Sequence, residues 1–337
     1  MIRKSPLIGC AAILAAALAT APINPAMAQG KKIVIAAPGI PPVFASTILY
    51  VAEKQGMFKK YGVDVEIKPF DTGATASRAV IAGDIEISLS PSALLINQIS
   101  NTGAPVVAIY GITNTDFLLA TTEASKTCKD AAGQGVGVDT VGGARSIALR
   151  IMLANGCPGL TIDNVQQVAL SSNVGAAMLA GRLQFGVLHL DDVATLELQG
   201  KKVNTLLTVN KTSPNNHYLV WIVRQDKLKE NRDAYVRVMA ALHEAAIFIH
   251  DPKNWDKVAE DAAPTGLDKA VAKATIKPLL DIDYWPVNDN GLDRKRLEAL
   301  TQVLKKTGGI KADKEPVTYD RLVDASVWND AVAMTKK

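Results

Sequence analysis

The feature that most constrains the fold is a repeated alternation of short apolar strand patterns with helical patterns. Residues 31–37, 63–67 and 85–89 read as strands. Each is followed by apolar residues at helical spacing, and Gly56 and Gly83 stand where two of these helices would end. Strands that alternate with helices indicate a mainly parallel sheet covered by helices on both faces. The sequence therefore predicts an α/β fold.

A second alternating unit begins near residue 135 and predicts a second lobe. Strand patterns at 135–138, 165–170 and 185–188 alternate with helical patterns at 145–155 and 174–180. The chain becomes mostly helical after residue 223. We predict two lobes, the first built from both ends of the chain and the second inserted, with crossings at 117–121 and 218–223. The predicted boundaries are 1–28 for a leader, 29–120 and 218–337 for the first lobe, and 121–217 for the second lobe.

The first 28 residues have the three parts of a secretory signal peptide. Arg3 and Lys4 precede an apolar run that extends to about Ala21, and Ala26-Met27-Ala28 forms a small-x-small cleavage site. The run is short for a membrane span, which needs about 20 apolar residues. We therefore expect export to the periplasm and cleavage after Ala28.

Lipid attachment at Cys10 is the alternative to simple cleavage. Leu7-Ile8-Gly9-Cys10 is similar to a lipoprotein attachment site. A lipidated cysteine should stand at the end of the apolar core, whereas here the core continues beyond Cys10. We therefore favour a protein without a lipid anchor.

Charge and chemistry-bearing residues exclude several classes of function. The formal net charge is +4, without a basic cluster, so no nucleic-acid partner is expected. No Gly-x-Ser-x-Gly elbow is present, and no His and Cys residues have zinc-ligand spacing, so we expect no catalysis, cofactor or metal. Cys128 and Cys157 are an isolated pair in an exported chain. We predict a disulfide between them, although sequence alone does not show whether their Cβ atoms face each other.

Residues 52–66 carry the signature A-E-x-x-G-x-F-x-x-x-G-x-x-V. This segment resembles the sulfonate/taurine/nitrate-type substrate-binding proteins of ABC importers, to which pyrimidine-precursor-binding proteins are related. Residues 80–88, 103–108 and 180–187 are similar to further elements of the family, with Gln184 at a usually acidic position. The resemblance covers essentially the whole mature chain. It implies a two-lobe periplasmic binding protein fold of type II that closes around a ligand.

Candidate ligand contacts are the residues that directly follow strands, because ligands of open α/β sheets lie beyond the carboxyl ends of the strands. In the first lobe these are Gly39, Phe44, Asp71, Gly73, Thr75, Ser90, Ser92 and Asn114. In the second lobe they are Gly142, Gly143, Arg145, Ser146, Ser171, Asn173, His189 and Asp191. Helix capping is the alternative role for each serine and threonine.

The Gly142-Gly143 turn and Arg145 form the predicted anion site. Glycines expose backbone N–H groups at a helix start, which favours an anion, and a guanidinium can clamp a carboxylate or sulfonate. The alternative is that Arg145 faces solvent or pairs with an acid. Asp191 would bind an amine, and a zwitterion would then satisfy both sites. The alternative for Asp191 or Asp192 is to cap the following helix.

Aromatic residues are unevenly distributed along the chain. Between residues 124 and 215 Phe185 is the only aromatic residue. An aromatic wall for a flat ligand must therefore come from the first lobe or from the crossings. The available residues are Phe44, Phe70, Tyr110, Phe117 and Tyr218. The alternative role for each of them is in the hydrophobic core.

Together these features predict a monomeric periplasmic solute-binding component of an ABC import system. We expect it to capture a small organic anion or zwitterion, such as a sulfonate, a taurine-like compound or a carboxylate, and to deliver it to an inner-membrane permease. Two strands between two lobes would serve as a hinge. The alternatives are a module that presents a solute to a membrane receptor, and a binder of pyrimidine or other aromatic precursors.

We predict that the exported protein begins at Gln29 and carries no lipid, because Ala26-Met27-Ala28 follows the apolar run. The intact mass of protein recovered from the exporting host checks this prediction. A diacylglyceryl adduct on Cys10 would contradict it.

Overall fold

The computed structural model describes residues 32–171 and 173–336. The predicted leader at residues 1–28 and Cys10 lie outside these described residues. The described chain forms two five-stranded sheets flanked by helices, which confirms the predicted α/β fold class. Within it, no helix is both long and apolar enough to cross a membrane.

The strands supply two sheets of similar design. The ten strands in the described ranges are β1 Ile33–Pro38, β2 Val65–Phe70, β3 Ile87–Pro91, β4 Val106–Ile112, β5 Leu118–Thr121, β6 Gly135–Val138, β7 Gln166–Ala169, β8 Phe185–Leu188, β9 Asn204–Thr208 and β10 Leu219–Arg224. The first sheet has the order β2-β1-β3-β10-β4, and the second has the order β7-β6-β8-β5-β9. In each sheet a single strand, β10 or β5, runs antiparallel to its neighbours. The other strands of each sheet therefore point their carboxyl ends toward the same edge.

The helices cover both sheets, and the longer ones follow the chain's apolar periodicity. They are α1 Thr47–Lys54, α2 Met57–Lys60, α3 Gly73–Ala82, α4 Ser92–Thr102, α5 Ala144–Gly156, α6 Val174–Leu179, α7 Leu190–Leu198, α8 Val209–Thr212, α9 Gln225–Glu230, α10 Arg232–His250, α11 Trp255–Asp261, α12 Lys269–Asp281, α13 Arg294–Lys306, α14 Tyr319–Leu322 and α15 Ser326–Thr335. Short 3-10 turns occur at Phe44–Ser46, Cys128–Ala131, Ile162–Asn164, Pro252–Asn254 and Ala263–Thr265.

The predicted crossing segments are strands inside the sheets. β5 lies between β8 and β9 in the second sheet, and β10 lies between β3 and β4 in the first. Both are buried apolar runs, and such runs form sheet ladders because their backbone groups need partners away from water. The chain passes between the sheets at residues 113–117 and 209–218 instead, and the predicted lobe boundary after residue 120 falls inside β5.

The two sheets are also linked by helix packing. Helix α7 follows the second sheet, and α12 belongs to the carboxyl-terminal part of the chain that covers the first sheet. Leu190, Val193 and Ala194 of α7 face Ala274 and Pro278 of α12 across a cavity of about 210 Å³. The first turn of α7 therefore lies close to both lobes.

A disulfide joins Cys128 to Cys157, with the Cα atoms 6.1 Å apart. It ties the turn Cys128–Ala131 to the end of α5 and encloses a sequence separation of 29 residues. The Cys157 side chain is buried among the apolar residues of the second lobe.

We predict that replacing both cysteines with alanine lowers the free energy of unfolding by about 3.5 kcal/mol, because the open chain gains conformational entropy when unfolded. Urea unfolding of the variant and of the parent, each with and without reductant, measures the difference. Reduction of the parent serves as the matched control. A parent protein whose unfolding midpoint does not respond to reductant would contradict the prediction.

Candidate functional site

An ion pair joins the crossing segment 113–117 to the start of α7. The Asp116 Oδ2 atom lies 3.0 Å from Nδ1 of His189, and the Leu190 N–H donates to the same oxygen at 3.4 Å. The His189 ring also packs on Phe117, with ring centroids 4.3 Å apart. The Asp116 side chain is only 7% exposed and that of His189 22%. The first turn of α7 is therefore anchored to the segment that connects the two sheets.

The charges of Asp116 and His189 stabilise each other. Burial by itself would raise the pKa of Asp116, but the charge of His189 and its hydrogen bond outweigh burial and hold that pKa below the usual value. Burial likewise opposes the charged form of His189, but Asp116 raises the pKa of this imidazole above its usual value. The second carboxylate oxygen of Asp116, Oδ1, is buried and has no hydrogen-bond partner among the described residues. Asp116 therefore retains one unused acceptor.

Asp191 is the second incompletely paired acid in this region. Burial and the neighbouring charge of Asp192 raise the pKa of Asp191 to about 6. Its carboxylate forms no hydrogen bond or ion pair with any residue in the described ranges. Removing a carboxylate from water without a partner costs free energy. A ligand group that donates hydrogen bonds would offset this cost.

A row of aromatic side chains runs from the crossing segments into the first lobe. Phe117 lies 5.6 Å from Tyr218, Tyr218 lies 6.3 Å from Tyr284, and Tyr284 lies 5.3 Å from Trp285, measured between ring centroids. Trp285 in turn lies 6.1 Å from Phe44. We call these five residues the aromatic row.

The two tyrosines of the aromatic row stay protonated. Burial, followed by the charge of Asp116, raises the pKa of both Tyr218 and Tyr284 well above the usual value. Their hydroxyl groups can therefore donate hydrogen bonds at any physiological pH. Phe44, Phe117, Tyr284 and Trp285 are buried in the hydrophobic cores, which is the alternative role that the sequence left open for Phe44 and Phe117. Tyr218 is the half-buried member of the row, and it combines an apolar ring with a polar hydroxyl group.

Sequence reasoning missed Asp116, Tyr284 and Trp285. Asp116 directly follows Thr113-Asn114-Thr115, the segment after the end of β4. Its place just beyond a strand end was the signal in the sequence that could have identified it. Tyr284 and Trp285 follow the end of α12, and their nearness to Tyr218 depends on tertiary packing. Of the other predicted aromatic residues, Tyr110 is fully buried and stacks on Trp328, with ring centroids 4.5 Å apart. Phe70 packs against the core of the first lobe.

Arg145 pairs with an acid, which is the alternative that the sequence left open. Its Nη1 atom donates to Asp192 Oδ2 and to the carbonyl oxygen of Val187, both at 2.7 Å. The Arg145 side chain is 8% exposed. Its positive charge is therefore already balanced by a carboxylate of the same lobe.

The predicted glycine turn at the start of α5 is also engaged within the chain. The backbone N–H of Arg145 donates to Asp139 Oδ1 at 3.2 Å, and the N–H of Gly142 donates to the Ser146 hydroxyl at 3.0 Å. The Ser146 hydroxyl is bonded in turn to Gln167. A carboxylate thus already occupies this helix N-terminus, where an incoming anion would meet like charge.

Two predicted contacts of the first lobe serve structural roles. The Ser92 hydroxyl lies 2.7 Å from Nδ1 of His217, whose Nε2 lies 2.7 Å from the carbonyl oxygen of Gly291. Burial lowers the pKa of His217 to about 4, so its ring is neutral. The Asn114 side chain donates to the carbonyl oxygen of Ile282 at 2.7 Å and accepts from Arg296 at 2.8 Å.

Thr75 and Gly39 hold local turns. The Thr72 hydroxyl accepts from the Thr75 N–H at 3.1 Å and caps α3. The Thr75 hydroxyl accepts in turn from the Thr72 N–H at 3.1 Å, which completes a capping box. Gly39 has φ 98°, which only glycine adopts without strain, and its N–H donates to the carbonyl oxygen of Phe70 at 2.6 Å.

The remaining predicted residues are dispersed. Asp71, Ser171 and Asn173 are exposed, and Gly73 begins α3. The Ser90 hydroxyl is fully buried at the end of β3 and has no hydrogen-bond partner among the described residues. Of the predicted contacts, the structure brings His189 and Asp191 together with Asp116, and Phe44 forms one end of the aromatic row.

The profile of the NMT1/THI5-like family matches residues 43–254. The chain belongs to this family. The matched range includes Asp116, His189 and most of both sheets. The resemblance to binding proteins of the sulfonate and nitrate type, predicted from residues 52–66, is thereby confirmed at the level of family and fold.

Relatives and solved structures of this fold include several binding proteins. A candidate binding protein of Brucella abortus is 25% identical over 231 residues, covering 66% of this chain and 69% of the relative. The periplasmic sulfonate-binding protein SsuA of Methylobacillus flagellatus superimposes with a TM-score of 0.67 at 15% identity, over 91% of this chain and 96% of that protein. The periplasmic nitrate-binding protein NrtA of Synechocystis superimposes with a TM-score of 0.65 at 13% identity, over 90% of this chain and 88% of that protein. At these identities the solved structures establish the fold alone.

We predict that Asp191→Asn stabilises the free protein above about pH 6 by about 1–2 kcal/mol. The folded-state pKa of Asp191, about 6, lies above the value of an unfolded aspartate. The Asp191 carboxyl group therefore favours the folded state at acid pH, and this contribution to the free energy of unfolding is lost as the pH rises through the folded-state pKa. Removal of the charge should help at neutral pH and have little effect near pH 4.

Urea unfolding at acid and neutral pH measures this difference. Asp163→Asn is the matched control, because Asp163 is exposed in the same lobe. If Asp191→Asn leaves the free energy of unfolding unchanged or lowers it at neutral pH, the charge of Asp191 does not destabilise the folded protein and the prediction is wrong.

Proposed function

We propose that this chain is the solute-binding component of an ABC import system. It captures a small molecule between its two lobes in the periplasm and delivers it to a membrane permease. The observation that carries the proposal is the meeting of Asp116, His189, Asp191 and the aromatic row at the junction of the two sheets. Polar groups with unused bonding capacity beside aromatic faces are typical of small-molecule sites.

Family and leader support the same role. The chain belongs to a family whose fold is shared by SsuA and NrtA, which are described as periplasmic binding proteins. The predicted signal peptide at residues 1–28 would bring this chain to the periplasm. Periplasmic capture is the step that an import system needs from such a protein.

The charges of the site favour a ligand with a nitrogen-bound proton. Asp116, Asp191 and Asp192 carry three carboxylates, against two cationic groups on Arg145 and His189. A simple anion would meet an excess of negative charge, whereas an ammonium or a ring N–H would donate to Asp191. Among the predicted ligands, a zwitterion therefore fits better than a sulfonate or carboxylate without an amine.

The aromatic row is also consistent with the alternative ligand class, a pyrimidine or another aromatic precursor. Tyr218, which is half-buried, presents its ring and a protonated hydroxyl near Asp116, and the adjacent Tyr284 is buried. A flat heterocycle with N–H groups would use both features. The aromatic row and Asp191 thus favour the same polarity of ligand, with donors toward the acids and an apolar face toward the rings.

The geometry of Ser92 and His217 favours a binder over a hydrolase. A serine next to a histidine is a feature of nucleophilic catalysis. Here Ser92 and His217 are only 1% and 2% exposed, and the distal ring nitrogen is bonded to the backbone of Gly291. A substrate would have no access to this hydroxyl. The pair instead ties the start of α4 to the crossing segment 209–218.

The position of the site supports closure of the two lobes on the ligand. Asp116 and Tyr218 belong to the two crossing segments, His189 and Asp191 to the second lobe, and Tyr284 to the first. A ligand that touches all three parts stabilises the closed arrangement through contacts that the open form lacks. Closure would also give the ligand-bound protein a shape that the permease can distinguish from the empty protein. The sensing alternative shares this geometry and differs only in the membrane partner.

We predict that protein purified from its own host retains a ligand with a basic or ring N–H nitrogen, which native mass spectrometry identifies. With that ligand, Asp191→Asn should weaken binding roughly tenfold to a hundredfold, since a hydrogen bond to a charged group contributes about 1.5–3 kcal/mol. Calorimetry with Asp163→Asn as the control measures the change. Equal affinities of the parent and Asp191→Asn would refute this ligand polarity.

A further inference from the structure

We propose that Arg145 is a positioning residue, which together with Asp192 fixes the first turn of α7 so that His189 and Asp191 face the crossing segment. The inference rests on the proposed ligand site at that turn. It assigns to Arg145 a different role from the anion clamp that its sequence context predicts.

Arg145 connects three elements of the second lobe. It extends from α5, and one nitrogen, Nη1, donates both to the carbonyl oxygen of Val187 in β8 and to the Asp192 carboxylate in α7. The Arg145 side chain is 8% exposed and that of Asp192 13%. A guanidinium held by two acceptors in a buried position has little freedom to turn toward a ligand.

Asp192 is confined on three sides. Its Oδ2 atom accepts from Arg145 and also from the backbone N–H of His189, at 3.0 Å. On the opposite side α6 approaches closely, because a Cβ atom placed on Gly175 would lie 2.6 Å from Asp192 Oδ1. The glycine leaves room for the carboxylate. The Asp192 side chain therefore has one accessible position, and the turn that carries it is fixed.

The direction of the ligand-facing groups follows from this arrangement. His189 and Asp191 lie within three residues of Asp192, and His189 reaches Asp116 across the junction of the lobes. Arg145 also supplies the positive charge that offsets Asp192, and it lowers the pKa of both His189 and Asp191. Loss of Arg145 would thus leave a buried unpaired carboxylate beside both groups.

Two variants separate positioning from direct ligand contact. Arg145→Met removes the guanidinium and leaves Asp192 unpaired. The double variant Arg145→Met with Asp192→Asn removes both charges, and the asparagine oxygen can still accept from the His189 N–H. Circular dichroism verifies that each variant is folded, and the double variant keeps the test valid if the single one is not.

Two measurements on ligand-free protein test the positioning role. One is the pKa of the His189 imidazole, followed by NMR, and the other is amide hydrogen exchange over residues 189–193. In Arg145→Met the His189 pKa should rise and exchange should accelerate about tenfold or more. In the double variant the exchange should return close to the parent rate, because no unpaired carboxylate remains at the turn. Unchanged exchange in Arg145→Met would overturn the inference.

Binding of two probes tests whether Arg145 touches the ligand. Taurine carries an amine and ethanesulfonate does not, and calorimetry gives the affinity of each. If Arg145 positions α7, the affinity for taurine should fall about tenfold or more in Arg145→Met and recover to within about threefold in the double variant. A double variant with parent-like hydrogen exchange that no longer binds taurine would show a direct clamp and overturn the inference. If the parent binds neither probe, the proposed ligand class fails, and the ligand-free measurements still decide the role of Arg145.

Discussion

The contact of Asp116 with His189 joins the segment that crosses between the sheets to the first turn of α7. Each member of this pair favours the charged form of the other, against the opposing effect of burial on its pKa. The pair therefore fixes where α7 begins relative to the crossing segment, and α7 in turn packs on α12 of the other lobe. An electrostatic contact thus sets the geometry at the junction where the lobes meet. The candidate site surrounds this contact.

The polarity of the site follows from what the protein leaves unpaired. Arg145 and the N-terminus of α5 are matched by carboxylates of the chain itself, whereas Asp191 and one oxygen of Asp116 have no hydrogen-bond partner among the described residues. The groups of the site that can still form hydrogen bonds are therefore acceptors. The Asp116 oxygen is buried, and the Asp191 side chain is half-buried. Acceptors removed from water without donors are costly, and a site that tolerates this cost in the free protein favours a ligand that supplies the donors. The same cost explains why the ligand-free form should be less stable than a variant without the charge on Asp191.

Local patterns in the sequence predicted much of the fold, and the tertiary pairings lay beyond them. Strand patterns at 135–138 and 185–188 coincide with β6 and β8, because apolar residues between turn signals are local information. β5 and β10 were predicted to cross between the lobes, since a buried apolar run does not reveal its sheet partners. The strand-end rule found His189 and Asp191 but could not reveal that Arg145 would meet Asp192, 47 residues away. Tyr284 and Trp285 join the site from a helical region in which no strand-end signal exists.

The most direct test is a crystal structure of the protein purified from its own host with the retained ligand in place. The ligand should lie between the lobes, with a nitrogen within hydrogen-bond distance of the Asp191 carboxylate and an apolar face on Tyr218. Arg145 should remain paired with Asp192. A ligand whose anionic group is bound by Arg145 at the start of α5, with Asp191 directed to solvent, would contradict the account.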